Sequence, residues 1–483
     1  MKYHLVTLGC QMNKSDSERV QTVMEGMGFL PAQNEQEANI LGVLACSVRQ
    51  KSIDKVYSRI HKWNKWKNHR NLVTFVSGCV LPADKEKFLK LFDLVFDIRE
   101  LPQFPDMLSQ YGIVTPASLT TGKQVHEIES KKAINKTDNK KSETSFNEIK
   151  FSDIRLVPEL PVEKIREFWQ VTPTYNSSFE AFIPIQNGCD KFCTYCAVPY
   201  TRGREISRPS NDILSELKVL VEQGFKSVTL LGQNVNSYGL DKKGNEITFP
   251  QLLRKIGEYG KSSGKDFWVY FTSPHPRDMT DEVLEVISQY ACLAKQIHLP
   301  LQSGDDKVLI KMNRKHSTKD YRHIIHGIRR IIPDATIFTD IITGFSGETE
   351  EQFENTRKAM EEFKFNMAYI AKYSPRPGAA SSRWQDDVPD RVKTERLHIL
   401  TSELTKHTIN YNNRLVGIKL KVLVTGRDRK NGYLSALTEG KIVLRFASDD
   451  GSLIGKFVDV NVVSATDFAL EAIFEKEYVQ ETM

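Results

Sequence analysis

Apolar runs of strand length alternate with helix-length segments over most of the chain. Three such runs open it, at 4–8, 40–45 and 72–76. Six more follow, at 182–185, 228–231, 267–271, 296–299, 335–342 and 367–373. This alternation predicts a parallel α/β domain and then six βα units. Because a closed barrel of this kind needs eight units, we expect the six to form an open partial barrel.

The pattern changes after a charged helical stretch from Pro389 to about Asn413. Four short β runs follow it, at 419–425, 432–437, 441–446 and 457–463. They predict a small antiparallel β-barrel. A lysine-rich segment from Lys123 to Lys150 has no aromatic residue before Phe146, which is typical of a flexible insertion. The predicted domains are an N-terminal α/β domain at 1–120, a polar flexible linker at 121–175, a partial barrel at 176–412 and a β domain at 413–477.

Composition supports several globular domains but names no activity. With 483 residues, of which 40% are hydrophobic and 27% charged, the chain is an ordinary globular protein. At roughly 150 residues per domain, it has room for about three domains. A net charge of +6 permits a polyanionic partner without requiring one. From Arg414 onward, ten basic residues balance ten acidic ones, so an RNA-binding role there depends on local patches.

The cysteines and the apolar runs indicate the cellular compartment in which the protein works. Seven cysteines are an odd number for a disulfide framework, and the N-terminal apolar run reads as a first strand. No run reaches the ~20 apolar residues that a membrane helix needs. We therefore expect a cytoplasmic protein without membrane association.

The most informative motif is a loop that follows the first strand of the predicted partial barrel. It has the spacing C-x3-C-x2-C, with thiols at Cys189, Cys193 and Cys196. An iron–sulfur cluster is closed by four cysteines, so three would leave one iron open to another ligand. The alternative is a structural zinc site that a distant ligand completes.

A second set of cysteines lies in the N-terminal domain. Cys10, Cys46 and Cys79 each stand where a predicted strand meets a loop. Because the carboxyl ends of parallel strands share one edge of a sheet, these thiols can converge on a second cluster. The alternative is three unrelated buried thiols, since free cysteine is among the most buried residue types.

Four segments carry motifs that can be compared with known families: Gly9–Glu18, Cys46–Lys51, Cys196–Arg204 and Leu299–Gly304. Together they resemble the radical S-adenosylmethionine methylthiotransferases, and the resemblance covers nearly all of the chain except the lysine-rich segment. Pro199–Gly203, within the third segment, and Gly232–Tyr238 are similar to the branch that modifies isopentenyl-adenosine in tRNA.

This resemblance implies a reaction and its cofactors. The reaction would insert a methylthio group at C2 of N6-isopentenyl-adenosine at position 37 of tRNA. Two 4Fe–4S clusters would be held by the two cysteine sets, and S-adenosylmethionine would bind the open iron of the barrel cluster. The implied partners are tRNA and an electron donor such as flavodoxin or ferredoxin.

The resemblance also implies further site residues. The expected cofactor contacts are Tyr195, Gly232, Gln233 and Gly344. The C-terminal β domain resembles a TRAM domain, in which Arg427, Arg429 and Lys430 would grip the RNA backbone.

Several alternatives stay open. Within the enzyme class, the alternative substrates are threonylcarbamoyl-adenosine in tRNA and ribosomal protein S12. A different class is an iron–sulfur redox sensor that binds RNA, although that class leaves the six-unit barrel unexplained. The helical segment from Arg49 to Arg70 is either an amphipathic helix or an RNA surface with Trp63 and Trp66. His275 and His298 are either loop-capping residues or active-site groups.

Overall fold

The computed structural model describes residues 1–48, 50–111 and 161–478, which form two compact units, Met1–Thr174 and Tyr175–Met483. The lysine-rich segment and most of the predicted linker lie outside the described residues. The part of that linker that the structure describes contains a helix at Val162–Gln170, whose residues Ile165, Phe168 and Trp169 are buried. Of the described helices, none is both long and apolar enough to cross a membrane.

The first unit is built on a five-stranded sheet. Its strands are β1 Lys2–Thr7, β2 Leu30–Pro31, β3 Ile40–Cys46, β4 Val73–Cys79 and β5 Leu94–Val95. They pair in the order β2-β1-β3-β4-β5, and every pair is parallel. The helices are α1 Gln11–Gly26, α2 Gln50–Trp66, α3 Pro82–Phe88, α4 Phe104–Ser109 and α5 Val162–Gln170. The parallel α/β prediction is confirmed, and only the two-residue edge strands β2 and β5 were not predicted.

Helix α2 uses its apolar face for the core. Ile53, Val56, Ile60 and Trp63 are buried against the sheet, and the Trp63 indole donates to Glu35 Oε2 at 3.1 Å. Trp63 is therefore not available to stack on a base. Trp66 is half-buried, and the Nζ of Lys62 lies 4.7 Å from its ring centroid. For Trp63 the amphipathic-helix alternative is correct.

The second unit begins with the partial barrel. Its strands are β6 Glu180–Pro184, β7 Gln186–Asn187, β8 Ile206–Ser207, β9 Ser227–Leu231, β10 Trp268–Phe271, β11 Gln296–His298, β12 Thr336–Thr343 and β13 Met367–Lys372. Strands β7 and β8 form a short antiparallel pair. The helices are α6 Val198–Arg202, α7 Ser210–Glu222, α8 Phe249–Ser263, α9 Asp281–Gln289, α10 Asp306–Lys311, α11 Thr318–Ile331, α12 Glu350–Phe363 and α13 Asp390–Asn413.

The six predicted barrel strands are all present. They form two parallel three-stranded sheets, ordered β10-β9-β6 and β11-β12-β13, and a single bridge joins Val269 to Leu293 between them. One continuous apolar core contains residues of both sheets and of the covering helices, for example Ile183, Ile297 and Ile341. The predicted open partial barrel is confirmed.

The chain ends in a closed five-stranded barrel. Its strands are β14 Lys419–Arg427, β15 Tyr433–Thr438, β16 Val443–Ala447, β17 Phe457–Ala465 and β18 Ala469–Glu477. The predicted small β-barrel is confirmed, but the fifth strand β18 was missed, because Glu471 and Glu475 interrupt its apolar pattern. Strand β18 pairs antiparallel with β17 and parallel with β16, so the barrel is not wholly antiparallel.

This closed barrel packs against the amino ends of the partial-barrel strands. The turn between β15 and β16 supplies part of the contacts, and the Phe457 ring meets that of Trp268. Glu439 Oε1 accepts from Lys295 N at 3.0 Å, and Gly440 O accepts from Thr336 Oγ1 at 2.8 Å. A Cβ at Gly440 would lie 2.6 Å from Thr336 Cγ2, so only glycine allows this approach. The carboxyl ends, where the cysteine loop begins, lie at the other end of the strands.

Candidate functional site

The C-x3-C-x2-C loop leaves the carboxyl end of the buried strand β6. Its entry is fixed at Gly188, whose φ is +81° and whose N donates to Gln233 Oε1 at 2.5 Å. A Cβ at Gly188 would lie 2.0 Å from Arg204 O, so a side chain there would displace the backbone that passes beside it. The first thiol, Cys189, follows this tight passage and is buried.

The middle of the loop is held by the segment Lys311–Arg314, at the end of α10. Thr194 N donates to Met312 O at 3.0 Å, and Thr194 Oγ1 donates to Lys311 O at 2.9 Å. Asn313 Nδ2 donates to Phe192 O at 2.9 Å. These bonds hold the loop that carries Cys193 and Cys196, although the two segments are far apart in sequence.

The three thiols lie near one another in a poorly solvated place. Burial and the neighbouring Cys193 thiol raise the pKa of Cys189 and of Cys196 to about 12. Iron binds thiolates, so iron bound at this loop would have to displace the protons that burial retains on these thiols.

A single metal ion and an iron–sulfur cluster place different demands on three thiols. Among the residues that the structure describes, no group of three or more His, Cys, Asp or Glu side chains is arranged to hold one metal ion. In a 4Fe–4S cluster each thiolate binds a different iron, so the sulfurs need not converge on one point.

Around the loop, the carboxyl ends of the strands present buried polar atoms that have no hydrogen-bond partner among the described residues. Such atoms are rare in folded proteins and point to a ligand or ordered water. They are Gln186 Oε1 after β6, Asn234 Oδ1 after β9, His275 Nε2 after β10, Thr343 Oγ1 in β12, and Ser346 Oγ. A polar ligand with amino, carboxylate and hydroxyl groups, such as S-adenosylmethionine, offers partners for such a set.

Two charged groups of this region were missed by the sequence analysis. Glu205 follows the Cys196–Arg204 segment and is buried, and burial raises its pKa to about 7 although Ser237 Oγ donates a hydrogen bond to it. Lys191, inside the cysteine loop, forms an ion pair of 2.5 Å with Asp278 after β10. Neither residue has a sequence signal of its own, because each contact joins segments that are distant in sequence.

The four predicted cofactor residues lie around the loop and keep structural contacts of their own. Gln233 binds Gly188, and a Cβ at Gly232 would lie 3.0 Å from Gln186 Oε1. The Tyr195 ring meets the Phe345 ring edge-on at 6.5 Å, beside Gly344. Gly344 has a φ of +69°, and a Cβ there would lie 2.3 Å from Lys393 Cγ. Their cofactor contacts stay predictions.

The two histidines differ in their contacts. His275 Nδ1 accepts from Arg277 N at 3.2 Å, which is the loop-capping contact, while Nε2 is one of the buried atoms without a partner among the described residues. Burial and the nearby Arg314 charge lower the pKa of His275, so it stays neutral. His298 Nε2 lies 2.7 Å from Asp340 Oδ2.

The second cysteine set converges at the edge of the first sheet. Cys46 and Cys79 lie directly opposite each other, as paired residues of β3 and β4. Cys10 caps the start of α1 after β1. The thiols of Cys10 and Cys79 both approach Asn13 Oδ1, at 3.6 and 3.7 Å. The three thiols therefore share one small region, as the strand ends predict.

Asn13 holds this region together. It is fully buried, and its Nδ2 donates to Ala45 O at 2.7 Å, next to Cys46. We expect Asn13→Ala to lower the free energy of unfolding of the cluster-free protein by about 1–3 kcal/mol, because a buried carbonyl loses its donor. Urea unfolding measures this change. Lys14→Ala, at the exposed neighbouring position, is the control, and equal losses in both variants would contradict the role of Asn13.

The predicted RNA-binding residues lie on an exposed turn. Arg427 ends β14, and Arg429 and Lys430 follow it, all three exposed. Lys430 Nζ lies over the Tyr433 ring at 3.7 Å and 3.4 Å from Glu471 Oε1, which offsets part of its charge. Their RNA contacts stay predictions.

Comparison with known families divides the chain as follows. The Radical SAM superfamily model matches residues 183–360, the TRAM domain model matches residues 413–474, and that of the uncharacterized protein family UPF0004 matches residues 2–97. The first match contains the C-x3-C-x2-C loop, and the third contains Cys10, Cys46 and Cys79.

Curated proteins resemble the chain over its whole length. A tRNA-2-methylthio-N(6)-dimethylallyladenosine synthase of Sodalis glossinidius is 35% identical over 100% of this chain and 94% of its own. One of Thermoanaerobacter pseudethanolicus is 36% identical over 97% of this chain and 92% of its own. Among solved structures, the radical S-adenosylmethionine methyltransferase TsrM of Kitasatospora setae, with cobalamin and a 4Fe–4S cluster bound, has a TM-score of 0.51 at 12% identity and covers 91% of this chain and 81% of its own. At that identity the comparison shows a similar fold and does not extend to function.

Proposed function

Because the chain belongs to the family of tRNA-2-methylthio-N(6)-dimethylallyladenosine synthases, we propose that its two cysteine sets hold the clusters of that chemistry. The chain is a radical S-adenosylmethionine methylthiotransferase that acts on tRNA, and its cofactors are 4Fe–4S clusters and S-adenosylmethionine. The proposed reaction places a methylthio group at C2 of N6-isopentenyl-adenosine at position 37.

One observation supports the proposed site most strongly. The three-cysteine loop stands at the carboxyl ends of the barrel strands, beside buried polar atoms that lack partners among the described residues. Active sites of βα barrels lie at this end. Cys189, Cys193 and Cys196 would hold the cluster and leave one iron for S-adenosylmethionine. When bound, the cluster and S-adenosylmethionine together supply a radical that removes hydrogen from carbon, which an ordinary closed-shell side chain cannot do.

The chain itself positions the reactants. Lys311–Arg314 hold the loop, and the polar atoms of Asn234, Thr343 and Ser346 offer hydrogen bonds to an amino acid or ribose group. The partly buried Tyr195 ring and the fully buried Phe345 ring keep water from part of this end. Cys10, Cys46 and Cys79 would hold the second cluster, which would offer a binding site for the sulfur-containing group.

The remaining partners are also proposals. An external one-electron donor of the flavodoxin or ferredoxin class would reduce the barrel cluster. The exposed turn with Arg427, Arg429 and Lys430 would hold the RNA backbone. We place the reaction in the cytoplasm, where tRNA is modified under reducing conditions.

The substrate is tested with the anaerobically reconstituted protein, a reductant and anticodon stem-loop RNAs. One RNA carries isopentenyl-adenosine and a matched RNA carries threonylcarbamoyl-adenosine. We expect the methylthiolated nucleoside only from the first, together with 5′-deoxyadenosine. Product from the second RNA alone would favour the threonylcarbamoyl alternative. Failure of the protein to form any 5′-deoxyadenosine would favour the redox sensor.

A further inference from the structure

Arg314 is a buried cation beside the cysteine loop. It follows Asn313, whose φ of +57° turns the chain after α10, and its side chain is 8% exposed. Its Nη1 lies 3.4 Å from Cys193 Sγ, and its Nη2 donates to Pro300 O at 3.1 Å. A guanidinium keeps its charge at all relevant pH values, so a full positive charge faces this sulfur.

No carboxylate pairs with Arg314 among the described residues. The other loop cation, Lys191, is neutralised by Asp278 at 2.5 Å. Among the described residues, the hydrogen bonds of the Arg314 guanidinium go to a neutral carbonyl and to the Cys193 sulfur. Because an uncompensated buried charge is costly, a group of opposite charge is missing next to Cys193. An iron–sulfur cluster held by three thiolates is net negative, and it becomes more negative by one electron on reduction.

The other loop sulfurs have different surroundings. Val198 N, a neutral donor, lies 3.4 Å from Cys196 Sγ. Hydrogen bonds to the sulfurs and nearby charge are among the factors that set the potential of a cluster. A cationic donor stabilises the reduced form more than the oxidised form, since the attraction grows with negative charge.

We propose that Arg314 is a positioning residue that acts through Cys193 and makes the barrel cluster easier to reduce. This inference rests on the proposed function, because it requires a cluster on Cys189, Cys193 and Cys196. The step itself is a one-electron transfer from the external donor to the cluster, with no bond broken. Arg314 would let a donor of given potential reduce a larger fraction of the protein.

The test uses the full-length protein with Cys10, Cys46 and Cys79 changed to alanine, so that only the barrel cluster is titrated. Its potential is measured by anaerobic redox titration with electron paramagnetic resonance, without S-adenosylmethionine. We expect Arg314→Gln to disfavour reduction about tenfold, which for one electron is about 59 mV more negative. Arg314→Lys, which keeps the charge, should recover most of the shift.

The matched control is Asn313→Gly, which removes the side-chain bonds to Lys191 O and Phe192 O and keeps the positive φ at this position accessible. It loosens the loop without removing charge, so its potential should stay near that of the parent protein. The inference is overturned if Arg314→Gln leaves the potential unchanged, or if Asn313→Gly shifts the potential equally. If Arg314→Gln assembles no cluster, the neutral variant Arg314→Met is titrated in its place, with the same shift expected and an unchanged potential again overturning the inference. Failure of the parent to assemble a cluster would instead contradict the proposed function.

Discussion

Cys46→Ala is expected to abolish methylthiolation of tRNA and to leave the cleavage of S-adenosylmethionine in place. Cys46 lies opposite Cys79 at the edge of the first sheet, and both belong to the proposed second cluster. Loss of a ligand should cost more than the ~100-fold that changes around ligands cost. The cysteine loop lies in the other compact unit, so its geometry should persist. Nucleoside analysis and 5′-deoxyadenosine release measure the two steps.

The control for this variant is Cys292→Ala. Cys292 is buried and packs against Gly260, outside both cysteine sets. We expect it to keep both steps, with at most a modest loss of stability. Continued formation of methylthiolated product by Cys46→Ala would contradict a role of the N-terminal cysteines in the reaction.

Cys196→Ala is expected to abolish both steps together. Cys196 is one of the three loop thiols, and with only two left the proposed barrel cluster cannot be held. No 5′-deoxyadenosine should then form from S-adenosylmethionine, with or without RNA. The contrast with Cys46→Ala assigns the radical step to one set of cysteines and the sulfur step to the other.

The iron content separates this prediction from a folding defect. Cys196→Ala should retain the iron of the N-terminal set and lose that of the loop, whereas a misfolded chain would lose both. Release of 5′-deoxyadenosine by Cys196→Ala at the rate of the unchanged protein would contradict the role of the loop.

Much of the fold was predictable because it depends on local patterns. Apolar runs in the sequence identified the long strands of both α/β regions. Because Cys46 and Cys79 stand at the ends of two such runs, the sequence predicted that they lie close together, and the register of β3 and β4 pairs them. Strand β18 was missed because its charged residues leave it without the continuous apolar run by which the other strands were found. Its inward positions include Leu470 and Ala472. The edge strands β2 and β5 are too short for any periodicity.

The site was only partly predictable for a related reason. Spacing identified the thiols of the loop, because they lie within one short segment. Arg314, Glu205 and Lys191 contact residues that are far away in sequence. These contacts form only when the chain is folded, so the sequence alone does not reveal them. Trp63 shows the opposite case: a basic, aromatic helix resembled an RNA surface, but the fold buries the ring in the core.

The central claim is tested most directly in cells. Nucleoside mass spectrometry is carried out on tRNA from cells with the gene, cells without it, and deleted cells that carry the Cys46→Ala variant. Loss of the gene should remove methylthio-isopentenyl-adenosine and let isopentenyl-adenosine accumulate, and the variant should not restore the methylthiolated form. An unchanged level of methylthio-isopentenyl-adenosine after deletion would contradict the account.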